Sequence, residues 1–89
     1  MKFTYPAIIR KTADGWHAVF PDLECCEADG PDLEDALEEA REAAYNWLCV
    51  ELEEGGEFPA QSHPEDMKLQ EGSFVRQILV RIKLLPDND

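Results

Sequence analysis

Little in this chain points to redox chemistry, metal binding or a membrane. It has three cysteines among 89 residues. Two of them, Cys25 and Cys26, are neighbours, and adjacent cysteines bridge only under severe strain. An odd count with no secretory leader does not describe a disulfide framework. There is no C-x-x-C pair and no H-x-x-x-H, so the thiols read as buried or half-buried side chains rather than zinc ligands. No apolar run is long enough to span a bilayer. The opening MKFTYPAIIRKTADG turns polar too soon for a secretory signal, which makes the cytoplasm the expected compartment.

Basic residues are almost missing from the middle of the chain. From Asp22 to Glu57 there are 14 acidic residues and one basic one, Arg41. The remainder holds 6 acidic and 7 basic residues, so this segment carries essentially all of the net charge of −12. A field of that sign repels nucleic-acid phosphates and favours a basic partner. The composition is otherwise that of one small globular domain, with 44% apolar residues and a modest core.

Carboxylates are also missing where two-metal catalysis would need them. Strand-like residues 3–12 (FTYPAIIRKT) contain no Asp or Glu, nor do residues 74–84 (FVRQILVRIKL). A ligand set absent from both strands cannot hold two cations, so a metal-dependent nuclease is the weakest reading. His17 and His63 have no nucleophile at a recognisable spacing, and read as a strand residue and a loop residue. The loop around Gly30 fails as a calcium loop: with Gly30 at position 6, Cys25 stands at position 1 and Ala36 at position 12. No cofactor, metal site or catalytic residue is expected.

The elements follow from periodicity. Residues 3–12 form strand 1, with Tyr5, Ala7 and Ile9 on one face and Ile8 and Arg10 on the other. Pro6 cannot donate to a ladder and belongs near the strand's start or at an unpaired spot. Ala13-Asp14-Gly15 turns the chain into strand 2, Trp16–Phe20, in an antiparallel hairpin. Residues 24–28 (ECCEA) suit a short strand 3. Asp32 is an N-cap with Asp35 at N3. Leu33, Leu37, Ala40, Ala44, Trp47 and Leu48 then recur at helical spacing, and Gly55-Gly56 stops the helix near Glu54. Residues 57–73 read as a loop, and Phe74–Leu84 alternates as strand 4.

The predicted class is α+β, β-β-β-α-β, a four-stranded sheet of order 3-2-1-4 with one main helix on one face. A right-handed crossover would return strand 4 parallel to strand 1, making the sheet mixed. The other face would stay uncovered, which favours a homo-oligomer such as a dimer or tetramer.

The tetrapeptide PDLE occurs twice, at 21–24 and 31–34. The first copy closes strand 2; the second caps the helix through Asp32. The nine carboxylates of residues 21–40 are therefore divided between a loop and a helix face and form no ligand set. Charge clustering nominates Asp22, Glu24, Glu27, Asp29, Glu34, Glu38 and Glu42 as a partner-binding surface.

Several of these residues also carry a resemblance. Tyr5-Pro6-Ala7, then Phe20-Pro21-Asp22-Leu23, Cys26, Gly30, Leu33-Glu34-Asp35-Ala36 and the Gly55-Gly56-Glu57-Phe58-Pro59 loop are similar to the HicB family. The likeness extends from Lys2 to Leu84; FPDL-x-x-C-x-x-x-G is its most specific part. It implies a partial ribonuclease-H-like fold and a non-enzymatic antitoxin that binds and blocks a small basic HicA-type toxin, an mRNA-cleaving ribonuclease. Cys25 stands where the family usually has glycine. Many members add a C-terminal DNA-binding segment. Here the expected division is a domain over 1–85 and a tail over 86–89, without that segment. Direct nucleic-acid or membrane binding is not expected. The alternative is a stand-alone oligomeric HicB-like regulatory domain with no toxin partner.

Overall fold

The computed structural model describes residues 2–82. The elements run β1 (Lys2–Lys11), β2 (Trp16–Val19), β3 (Glu27–Gly30), α1 (Leu33–Glu53), a 3-10 turn at Pro64–Asp66, and β4 (Ser73–Arg81). The sheet order is β3-β2-β1-β4, as the sequence predicts. Lys83, Leu84 and the tail 86–89 of the expected division lie outside the described residues.

Alternation sorts the strands as the sequence implies. Tyr5, Ala7, Ile9, Ala18, Phe20, Ile78, Val80 and Ile82 are buried beneath α1. The helix meets them through Ala36, Ala40, Ala44 and Leu48, all fully buried. Three alanines in that seam leave no side chain to hold the helix away, so its axis lies close to the sheet. Asp32 caps the helix by accepting from the Asp35 amide at 2.9 Å. Glu54 is the C-cap and Gly55, at φ 72°, takes the left-handed turn that ends it.

Strand 4 corrects the sequence-based topology. It pairs with β1 antiparallel, from Lys2↔Arg81 to Arg10↔Ser73, so the sheet is antiparallel throughout rather than mixed. A direct crossover would deliver β4 from the end of α1, beside the start of β1. Residues 54–72 instead carry the chain back along the domain before β4 begins. Phe58 packs edge-on against Phe3, ring centroids 4.6 Å apart. The Tyr5 hydroxyl donates to the Pro59 carbonyl at 2.7 Å. Lys68, Leu69 and Gln70 then lie beside Ile8, Arg10, His17 and Val19 on the far face. That face is partly covered by the chain's own loop, and Pro6 is fully buried.

Strand 3 begins three residues later than the periodicity suggests and ends two later. Residues 20–23 and 23–26 form two consecutive tight turns, closed by Leu23 N–H to Phe20 O and by Cys26 N–H to Leu23 O. Cys25 sits in the second at φ 61°, which turns the chain so that Glu27–Gly30 pairs with β2. Pro6 matches its expectation: it faces Gln77 of β4, but the β2 ladder starts only at Ile8.

Candidate functional site

The seven acidic side chains nominated from the sequence fall into three places. Asp22 follows β2 and is engaged within the domain. Its carboxylate accepts from the Ser62 amide at 2.8 Å and from the Ser62 hydroxyl. Glu24 is exposed on the next turn, where its carbonyl accepts from Trp47 Nε1 at 2.9 Å. That bond ties the loop to α1 and leaves the Glu24 carboxylate in solvent.

Glu27 and Asp29 lie two apart on β3 and therefore share its outward face. Both flank His17 of β2: Nδ1 is 2.7 Å from Asp29 Oδ1, and Nε2 is 3.7 Å from Glu27 Oε1. The imidazole bridges the β2–β3 pair through its Nδ1 hydrogen bond with Asp29, and the Glu27 carboxylate lies near Nε2 without bonding it.

Glu34, Glu38 and Glu42 recur every four residues and form one stripe along α1. Arg41 binds Glu38 at 2.6 Å through Nη1 and reaches the Leu79 carbonyl of β4 at 3.3 Å through Nε. The stripe thus overlooks β4, while Glu27 and Asp29 sit on β3. These strands are opposite edges of the sheet, three strand spacings or about 14 Å apart. The structure brings the seven residues into two exposed acidic patches and one internal anchor.

Two clefts accompany the patches. One lies between α1 and the loop, lined by Cys25, Cys26, Glu27, Ala43, Trp47 and Val50, with a volume of about 320 Å³. Val50 is 51% exposed there. The other, about 520 Å³, lies between α1 and β4 and is lined by Glu38, Arg41, Glu42, Tyr45, Leu79, Val80 and Arg81. Sequence reading missed Val50 and Tyr45 because they stand off the apolar helix stripe. Among the described residues, no group of three His, Cys, Asp or Glu side chains is arranged to hold a metal ion. No helix among them is long and apolar enough to cross a membrane.

Comparison with known families is decisive at this point. Residues 5–86 match the model of the HicB-like antitoxin of bacterial toxin–antitoxin systems. The chain belongs to this HicB-like antitoxin family. Solved structures agree. A chain of the HicA3 and HicB3 toxin–antitoxin complex is 26% identical with a TM-score of 0.68, over 91% of this chain and 99% of that one. A toxin–antitoxin complex from Streptococcus pneumoniae has a chain with a TM-score of 0.82 at 21% identity, over 91% of this chain and 70% of that one. The N-terminal domain of the Burkholderia pseudomallei antitoxin HicB gives 0.71 at 21%, over 92% and 100%. No curated protein sequence matches the chain.

One residue of this HicB-like chain, Cys25, stands in the left-handed region of the backbone. The position needs φ near +60°, which glycine adopts without cost and Cys25 adopts against the clash of its own Cβ.

Proposed function

We propose that this HicB-like chain is a non-catalytic antitoxin that binds and neutralises a small basic HicA-type, mRNA-cleaving toxin. The match to the antitoxin family over residues 5–86 carries the reading. The charge pattern supports it. A chain of net charge −12 attracts a basic ribonuclease at long range and repels the RNA that the ribonuclease binds. The fold is read as a partial ribonuclease-H-like domain without carboxylates on β1 or β4, and both proteins act in the cytoplasm.

The toxin contact is assigned to the face between α1 and the 21–26 loop. There Trp47 and Val50 supply an apolar centre, and Glu24 and Glu27 supply an acidic rim. Such a centre-and-rim arrangement is how stable protein interfaces are built. Asp29 extends the rim along β3. Glu34, Glu38 and Glu42 add to the attracting field from the other side of the helix. Asp22, bound to Ser62, supports the loop and contributes only its charge.

Titration of this chain with a HicA-type toxin, in a salt series and alongside an RNA-cleavage assay, tests the reading. Binding should weaken with salt and abolish cleavage. Glu24→Lys with Glu27→Lys should reduce affinity by about tenfold or more, and more than Glu34→Lys does. No binding at low salt would sink the antitoxin reading.

A further inference from the structure

On the sheet face away from α1, residues 68–70 lie beside β1 and β2 and bound a cleft of about 400 Å³. Register sets its floor. His17, Arg10 and Ser73 stand opposite one another across β2, β1 and β4, with Val19 and Ile8 in the next row of the same face. Lys68, Leu69 and Gln70 form the wall. That wall is short and held at both ends. Met67 N–H closes the 3-10 turn on Pro64 O at 3.1 Å, and Ser73 N–H closes the next turn on Gln70 O at 3.0 Å.

The lining inverts the charge of the chain. The protein has 20 carboxylate side chains against 8 of Lys and Arg, yet no carboxylate lines this cleft and two cations do. Among the described residues, neither Arg10 nor Lys68 has an ion-pair partner, whereas Arg41 is bound to Glu38. Two like charges on one cleft repel each other, and an anion between them reverses the sign of the interaction. Ser73 and Gln70 add a hydroxyl and an amide that can donate. Glu27 and Asp29 belong to β3, one strand further out, and Asp29 is engaged by His17 Nδ1 at 2.7 Å.

We propose that this cleft binds a small phosphate monoester, with the ester group lying on Ile8, Val19 and Leu69. The donor set selects the head group. A carboxylate has two oxygens in one plane, and the fork of Arg10 alone would occupy both. A phosphate monoester presents three acceptor oxygens and a charge of about −1.5 to −2. It can meet Arg10 and Ser73 on the floor and Lys68 on the wall together. The apolar lining selects the body. Ile8 and Val19 are half-buried and Leu69 is exposed, so a short apolar ester covers side chains that water now touches. The volume suits one small molecule, since ligand sites run from about 300 to 1,000 Å³. The acidic charge elsewhere on the domain is screened beyond about 8 Å at physiological salt, so the local cations decide the contact.

The site is on the opposite face from α1 and does not rest on the toxin reading. Amide NMR of the full chain, titrated separately with phenyl phosphate, inorganic phosphate and benzoate, tests it. Phenyl phosphate should give saturable shifts at Ile8, Arg10, Leu69 and Ser73 by millimolar concentration, and should bind more tightly than the other two. Arg10→Gln and Lys68→Gln should each weaken it by about tenfold, as the loss of a charged hydrogen bond requires. Arg76→Gln, on the helix side of the sheet opposite Ala7, should leave binding unchanged. All three side chains are exposed, so the folded spectrum should persist in each variant. Leu69→Ala should weaken phenyl phosphate and leave inorganic phosphate unaffected. The absence of saturable shifts overturns the proposal. Shifts equally large at Lys2 and Arg81, at the other end of the face, mark general screening of surface cations and also overturn it. Benzoate binding as tightly as phenyl phosphate overturns the phosphate head, and inorganic phosphate binding as tightly overturns the apolar body.

Discussion

Gly30 and Ala36 meet backbone to backbone. A methyl group placed on Gly30 would lie 2.8 Å from the Ala36 Cα and closer still to the Ala36 nitrogen. The last residue of β3 therefore touches the first full turn of α1 where no side chain can intervene. Gly30→Ala forces the helix start away from the sheet and loosens the alanine seam that follows. Such overpacking costs about 2 kcal/mol or more when the obstacle is backbone. Urea unfolding should show the midpoint falling with the slope unchanged.

Cys25 offers the opposite change. At φ 61° a non-glycine residue pays about 1–2 kcal/mol in local strain. Glycine removes that strain but has more freedom to lose on folding, about 0.4–1 kcal/mol. The difference favours Cys25→Gly by about 0.5–1 kcal/mol. Cys25→Ala should leave stability nearly unchanged, because it removes the thiol and keeps the Cβ. A thermal melt in which alanine stabilises as much as glycine would assign the effect to sulfur instead.

The ease with which parts of this structure were read from sequence follows the range of the forces involved. Asp32 and Gly55 mark the helix through contacts within a turn of themselves, and the alternation of β1 and β4 registers burial residue by residue. Those signals are local. The position of β3 depends on a left-handed residue at Cys25, where glycine would signal the turn and cysteine does not. The direction of β4 depends on where residues 54–72 are pinned, by Tyr5 to Pro59 and Asp22 to Ser62, across 54 and 40 residues of chain. Charge clustering found the acidic side chains but not their division, because residues adjacent in sequence end on opposite sheet edges.

The end of α1 carries an electrostatic fault. Its last turn contains no basic residue, while Glu51 and Glu53 stand there against the negative end of the helix dipole. Glu53→Lys should stabilise the domain by about 0.5 kcal/mol, and the gain should shrink in high salt.

Asp22 should behave as a latch. Its two bonds from Ser62 hold the loop after α1 against the end of β2, next to the Tyr5–Pro59 bond. Asp22→Ala leaves the Ser62 amide without its acceptor. Hydrogen exchange at residues 57–63 should quicken, with a loss of about 1 kcal/mol in stability at this exposed site. Glu24→Ala, two residues on, has no such bond through its carboxylate and should leave exchange unchanged.

Alkaline pH should unfold this domain early. Burial first, and the Glu27 carboxylate second, push the Cys26 thiol up from 9.0 to about 11. Burial, then the Asp22 charge, raises the Tyr5 hydroxyl above its ordinary 10.0. Both groups are acids whose neutral form the folded state prefers. Between the ordinary thiol value and about 11, the unfolded chain gives up the Cys26 proton while the folded chain keeps it. Protons then bind the folded state more, so stability falls as pH rises. The Cys26 contribution is complete below pH 9 and gone above about 11, with Tyr5 extending the loss upward. Melting temperature should decline across that window, and Cys26→Ala should flatten the decline while costing about 1 kcal/mol at neutral pH for the space it leaves. Alkylation gives an independent readout. At neutral pH exposed Cys25 should react while buried Cys26 stays protected, and Cys26 should become reactive only as the alkaline transition proceeds.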